Sequence, residues 1–418
     1  MQRQMGKGAL YFWPVMAALG GVISAAPAFA QNADKIRLKS VLDLPREGYE
    51  PRTLHAGNII IRPEMDVRGE YDSNIYADET DEVDDFVLVA APRVRFDLNN
   101  DLLKWRTDAF ATLRRHADKT SENSTAFGAT TDITLRPSAM STLGGGLGFE
   151  RQVEDRGDPE SRTLTDIGPR RLNDFSGNAF YRLTGARLGV QASGEVHKLN
   201  YLRSLDDERD YTSYRGALRG FYRMSPLINL YVQGYVNRRD FRQAADDAGV
   251  NRDASTFGGT VGAEFDPGGK LRGELNVGVF RFDPKDRTLK PYTGLQFAAA
   301  MSYAIRPRTA ITLDAFRGDV ATVRTGALAR TDTRIGIGVQ QEVRHNLLFN
   351  AGLSWRQTDY RGTSDQTQRI WGGNVEAEYL LNRHLSIAAM GWYKHRNSDA
   401  PDEDYERFRA GLELRFKY

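Results

Sequence analysis

The chain has no cysteine. That excludes disulfide staples, thiolate metal centres and a thiol nucleophile. Lysine is also scarce, at 11 of the 57 basic residues, the other 46 being arginine. Past the first thirty residues there is no apolar run near the roughly 20 positions that a spanning helix needs. Net charge is missing as well. Setting aside residues 1–30, which hold Arg3 and Lys7 and no acid, leaves 55 basic against 55 acidic side chains. A nucleic-acid binder needs a basic excess, so that class is excluded. The six histidines are scattered, with no HExxH spacing. The acidic stretch 72–85 lacks the DxDxDG order of an EF-hand and reads as a solvated loop. Gly144 to Gly148 does not spell GxGxxG and reads as small-residue packing in a strand. No metal and no cofactor is implied. Serine, aspartate and histidine are present without a local catalytic signature, so no enzyme is expected. A mean hydropathy of −0.53 does not exclude a membrane barrel, because only alternate residues of each strand face lipid.

Residues 1–30 read as a signal peptide. Arg3 and Lys7 form a positive start, an apolar stretch follows, and Ala28-Phe29-Ala30 is a small-x-small cleavage site before Gln31. Residues 31–57, with Pro45 and Pro51, read as a periplasmic lead-in, extended and poorly ordered. Residues 58–418 read as a transmembrane β-barrel.

The clearest strand is the last, RFRAGLELRFKY. Phe408, Ala410, Leu412, Leu414, Phe416 and Tyr418 form an apolar row. Arg407, Arg409, Gly411, Glu413, Arg415 and Lys417 form the other. A period of two is a strand, and charge on one face with apolar residues on the other suits lipid outside and water inside. Phe408, Leu412, Leu414, Phe416 and the terminal aromatic Tyr418 resemble the C-terminal signal strand that barrel assembly machinery reads. The same alternation recurs along the chain, for example in Ile228, Leu230, Val232 and Val236 against Asn229, Tyr231, Gln233 and Tyr235. The rows predict an all-β antiparallel barrel of about eighteen strands, with sixteen the alternative because residues 142–150 are Gly-rich and weakly patterned. Short turns, such as Asn99-Asn100 and Ser225-Pro226, alternate with long polar loops, such as 154–170 and 239–253. Tight periplasmic turns and long outer loops have this asymmetry. A sandwich lacks it, and a propeller needs a repeat of about 40–50 residues that is not found.

The opening of the barrel, REGYEPRTLHAGNIIIRPEMDVRGEYDSNIYADETDEVDDF, resembles the putative beta-barrel porin 2 family. The resemblance rests on Tyr49, Pro51, Pro63 and the turn Tyr71-Asp72-Ser73-Asn74. It implies an outer-membrane protein associated with exopolysaccharide synthesis genes and acting in polysaccharide export. It brings no catalytic residues. The partners expected are outer-membrane lipid, the assembly machinery, the polysaccharide and export components.

The polar rows name the candidate lumen lining. Arg62, Arg68, Arg93, Arg95, Arg106, Arg215, Arg219, Arg409 and Arg415 share it with Glu376, Glu378 and Glu413. Inward ion pairs that rigidify the wall account for most of them. A GC-rich genome also favours arginine without any function. A sharper reading adds Tyr231, Tyr235 and Trp392, because aromatic faces stack on sugar rings and guanidinium groups hold carboxylates. Three functions remain open: a conduit for exopolysaccharide, a nutrient-uptake porin, and a surface barrel with a plugged lumen.

Overall fold

The computed structural model describes residues 40–161, 168–265, 269–362 and 365–418. The expected signal peptide and the first part of the lead-in lie outside the described residues. Eighteen antiparallel strands, from Ile59–Asp72 to Tyr405–Lys417, each pair with their neighbours in the chain. The last strand pairs back onto the first, from Arg409 opposite Asp72 to Lys417 opposite Glu64. The sheet is therefore a closed barrel with no free edge to template aggregation. The short strand Leu54–Ala56 folds back on the start of Ile59–Asp72.

The Gly-rich segment is a full strand, Ser141–Val153, between Ser124–Leu135 and Arg171–Thr184. Its weak pattern has a packing cause. Phe180 sits opposite Gly144, and a Cβ there would overlap the ring. Glycine on this inward row makes room for an aromatic on the next strand.

The alternation holds in three dimensions. Leu188–Tyr201 alternates exposed and half-buried residues for most of its length. Val232 is 60% exposed and Leu353 is 74% exposed, although both lie mid-strand. Exposed apolar rows of this kind face hydrocarbon.

One ladder ends early. Leu271–Pro284 pairs with Tyr292–Arg306 up to Phe282 opposite Tyr292. Tyr292–Arg306 pairs with Thr309–Val320 only up to Phe297 opposite Arg317. Past that level Thr309–Val320 parts from Tyr292–Arg306 and continues as a hairpin with Ala327–Arg344, which stays laddered to Leu347–Gly362 up to Ala327 opposite Gly362. Residues 327–333 are buried on both faces, as they are when a hairpin leans into the barrel.

Candidate functional site: the lumen and its two closures

The ladders bring the candidate lumen residues onto one continuous inner surface, and most of them meet each other. Arg68 bonds Glu70 at 2.7 Å and Glu413 at 3.0 Å. Arg95 bonds Asp108 at 2.9 Å. Arg62 and Arg106 share Asp97. Arg415 holds Glu413, Glu376 and Glu378 at 2.6, 2.8 and 2.8 Å. Arg93 stacks on Phe110, and the Arg68 guanidinium lies 5.4 Å from the Trp392 ring centroid. Buried charges tolerate low dielectric only when paired and hydrogen-bonded, and these are.

The two inward tyrosines are also engaged. Tyr231 and Tyr235 sit directly opposite Gly262 and Gly258. A Cβ at Gly262 would come 2.5 Å from Tyr231 Cζ, and one at Gly258 would overlap Tyr235. Each ring therefore lies flat along the wall over its glycine. The Tyr231 hydroxyl donates to Glu274, and the Tyr235 hydroxyl donates to Gln296 at 2.5 Å. Arg219 lies over Tyr231 at 4.0 Å and Arg215 over Tyr235 at 3.8 Å. Arg219 also pairs with Glu264 and Glu274. Glycine and guanidinium thus occupy the surfaces on which a sugar would stack.

The outer mouth is closed. The hairpin tip, residues 321–326, crosses toward the far wall. Ala321 and Val323 pack with Leu172, Leu199, Tyr201 and Tyr211 in one buried cluster. The hairpin base packs Ala329 against Phe280 and Phe282. Arg239 holds Asp319 by two bonds. The loop residues 154–161 fold in from the other side. Glu160 accepts from Arg330 and from the Val323 N–H, so the two closures lock together. Tyr360 and Tyr405 donate to the carbonyls of Pro159 and Gly157. Burial alone would raise Asp155, but the Arg407 and Arg409 guanidinium groups beside it hold it well below the usual carboxylate range. Burial, helped by Asp155, pushes Asp158 up to about 8.

The periplasmic mouth is occupied by the lead-in. The sequence predicts an extended, poorly ordered segment, but its described part makes a turn of 3-10 helix, Val41–Asp43, capped by Ser40. Ser40 Oγ donates to Gln340 Oε1 at 2.7 Å. Arg46 pairs with Glu342 at 3.1 Å and donates to the carbonyls of Val41, Leu42 and Leu44. Arg46 thus folds the segment around itself and pins it to the wall. Burial pushes Asp43 up to about 7.

A family model described as Putative beta-barrel porin 2 matches residues 47–418. The chain belongs to this family. It is a porin-like barrel of the outer membrane. No curated protein matches the sequence. Solved structures similar to it come from Pseudomonas aeruginosa. OccK2 (OpdF) is 11% identical with a TM-score of 0.45, covering 86% of this chain and 97% of that one. OpdK with vanillate is 12% identical with a TM-score of 0.44, covering 86% and 99%. The siderophore receptor PirA is 9% identical with a TM-score of 0.41, covering 85% and 80%.

The closures of this porin 2 barrel escape a reading by alternation alone. Loop 154–170 reads only as a long polar outer loop, yet residues 154 and 156–161 are buried. A signal was present on the other side of the contact. Leu172, Leu199, Phe280 and Phe282 are apolar residues on mostly polar inward rows, all near the outer strand ends. Such residues need a cover, and the hairpin and loop supply it.

Proposed function

We propose that this barrel is a gated outer-membrane channel for acidic saccharide, with exopolysaccharide leaving the cell as its cargo. The observation that carries the reading is the closure by the chain's own segments. Hairpin, loop and lead-in are held by side-chain contacts that a cargo or partner can displace, over a wall rich in arginine. The family resemblance to barrels associated with polysaccharide synthesis supports the direction. Lipid on the outward rows, the assembly machinery on the C-terminal strand and export components at the periplasmic mouth complete the set of partners. No catalytic step belongs to this reading.

The test is a deletion strain. Secreted polysaccharide should fall and return with the wild-type gene. Unchanged secretion overturns the export reading. A second reading, uptake of small acidic solutes, is favoured by the outer hairpin, which closes the side from which nutrients arrive. Slower growth of the deletion strain on such solutes, with normal secretion, would select it.

A further inference from the structure

We propose that the inner wall carries a binding recess for a carboxylate-bearing sugar unit, roofed by Arg334 and Arg356, a site that rests on the saccharide reading above. The ladders set Arg334 directly opposite Arg356, and Phe316 on the other side of Arg334. Like charges directly opposed on a sheet face are unfavourable unless a counter-charge joins them. Two acids stand on the adjoining rungs: Asp314, opposite Gly336 on the periplasmic side, and Asp332, which is already taken. Asp332 accepts two bonds from Arg330, at 2.8 and 2.7 Å, and one from Arg356 at 2.6 Å. Arg334 lies over the Phe316 ring at 4.8 Å. The Nε atoms of both Arg334 and Arg356 are buried and have no hydrogen-bond partner. Buried N–H groups are nearly always satisfied, so two such donors on neighbouring guanidinium groups call for an acceptor. A carboxylate fits, because guanidinium groups bind it through paired, charge-assisted bonds.

The wall next to this roof has the other features of a sugar site. The next two rungs toward the periplasm hold Gly336, Gly338, Gly352 and Gly372 in adjoining positions. The wall is shallow there, and polar side chains lie along it. A Cβ at Gly352 would come 2.7 Å from Asn374 Oδ1, and one at Gly372 would come 2.7 Å from Ser354 Oγ. Amide and hydroxyl groups in this position can pair with sugar hydroxyls. On the rung of Gly338 and Gly352 the ladder continues through Asn374 to Trp392. Three interstrand steps separate the strands of Arg334 and Trp392, roughly 14 Å, which is room for a short oligosaccharide with the indole at its far end. The position also suits a site for cargo in transit. Above it, Arg330 and Glu160 join the wall to the outer closure. Below it, Ser40 docks on Gln340, two residues past Gly338 in the same strand.

The probe is trigalacturonate, titrated calorimetrically into the purified full-length barrel, with maltotriose as the neutral comparison. Saturable binding of trigalacturonate is expected, with maltotriose weaker by about tenfold or more, as loss of a charged hydrogen-bond partner implies. Arg334→Gln and Arg356→Gln should each weaken trigalacturonate by a similar factor, and Arg334→Lys should recover part of it. Arg238→Gln changes a side chain that is 66% exposed on the outer wall and should leave binding unchanged. Gly338→Leu fills the recess without touching the charge, so it tests the site even if an arginine variant fails to fold. No binding by the wild type, equal binding of the two sugars, or full binding by a folded Gly338→Leu barrel overturns the proposal. If binding is absent while the deletion strain loses secretion, the channel reading stands and this site falls. If binding is present and secretion is normal, the recess stands and the export reading falls.

Discussion

Val232 and Gln233 are adjacent in sequence and opposite in environment. Val232 is 60% exposed toward lipid, while Gln233 is 6% exposed and accepts from Arg219 at 2.6 Å. Alternation identifies the faces but not this bond. It treats Gln233 as a tolerant inward position, whereas an arginine there would meet Arg219. Ser193, half-buried on an inward row two residues from Glu195, is the better comparison. Val232→Arg should cost about 2–4 kcal/mol, and Ser193→Arg near zero, in urea unfolding of the barrel in vesicles. Equal costs would mean that the faces are exchanged. The same limit applies to the tyrosines. Period two turns Tyr231 and Tyr235 inward, but only the cross-strand register reveals Gly262 and Gly258 beneath them. A glycine four residues from another in a strand carries no visible meaning until its neighbour is known.

Each closing element rests on a few contacts, so each can be released separately. The hairpin is seated by apolar residues. Leu172 and Leu199 are 0% and 1% exposed against Ala321 and Val323. Leu199→Asp buries a charge with no partner in that cluster, which strongly favours release of the hairpin. Conductance in planar bilayers should rise above the wild-type level while the folded barrel persists. Unchanged conductance would mean that the hairpin does not close the path. The lead-in is governed by Asp43. Burial raises this carboxyl from 3.8 to about 7, with Glu378 adding to the rise and Lys417, Arg46 and Arg95 opposing it. A raised pKa means that the docked state holds the proton. Docking is therefore strongest below about pH 4, weakens as pH rises, and has lost this contribution above about pH 7. Proteolysis of the segment around Pro45 should accelerate between about pH 4 and about pH 7 and level off above, and Asp43→Asn should remove the dependence. A rate that falls with pH, or an unchanged profile in Asp43→Asn, would contradict it. The acidic stretch 72–85 reads as solvated, but only its middle is exposed, with Asp72, Asn74 and Asp85 buried, and loop 154–161 is largely buried through partners from distant strands such as Arg330 and Arg407.

At the scale of the molecule, closure is the event on which everything else depends, and it was legible early. The last strand shows one clean apolar row, and the structure places Phe408, Leu412, Leu414, Phe416 and Tyr418 at 41–65% exposure on the outer wall. What the strand pairs with was less legible, since its partner lies more than three hundred residues away. Leu412 to Lys417 ladder onto Gly69 to Glu64, and the Tyr418 N–H donates to the Pro63 carbonyl. The inward row of the same strand ties the seam shut through Arg68 with Glu413. We propose that two separate demands fall on this strand: an outward aromatic row read during assembly, and an inward charged row that holds the finished seam. They can be separated. Deleting residues 416–418 removes Phe416, Tyr418 and the last rungs of the seam. The chain should then stay in the periplasm, be degraded, and give no heat-modifiable band in outer-membrane fractions. Glu413→Gln leaves the outward row intact and weakens only the Arg68 and Arg415 pairs. It should reach the outer membrane in normal amount but lose heat-modifiable mobility at a lower temperature. Normal assembly of the truncated chain would remove the signal role from the terminal aromatics. Failure of Glu413→Gln to assemble would mean that the seam itself, rather than its outer row, decides insertion.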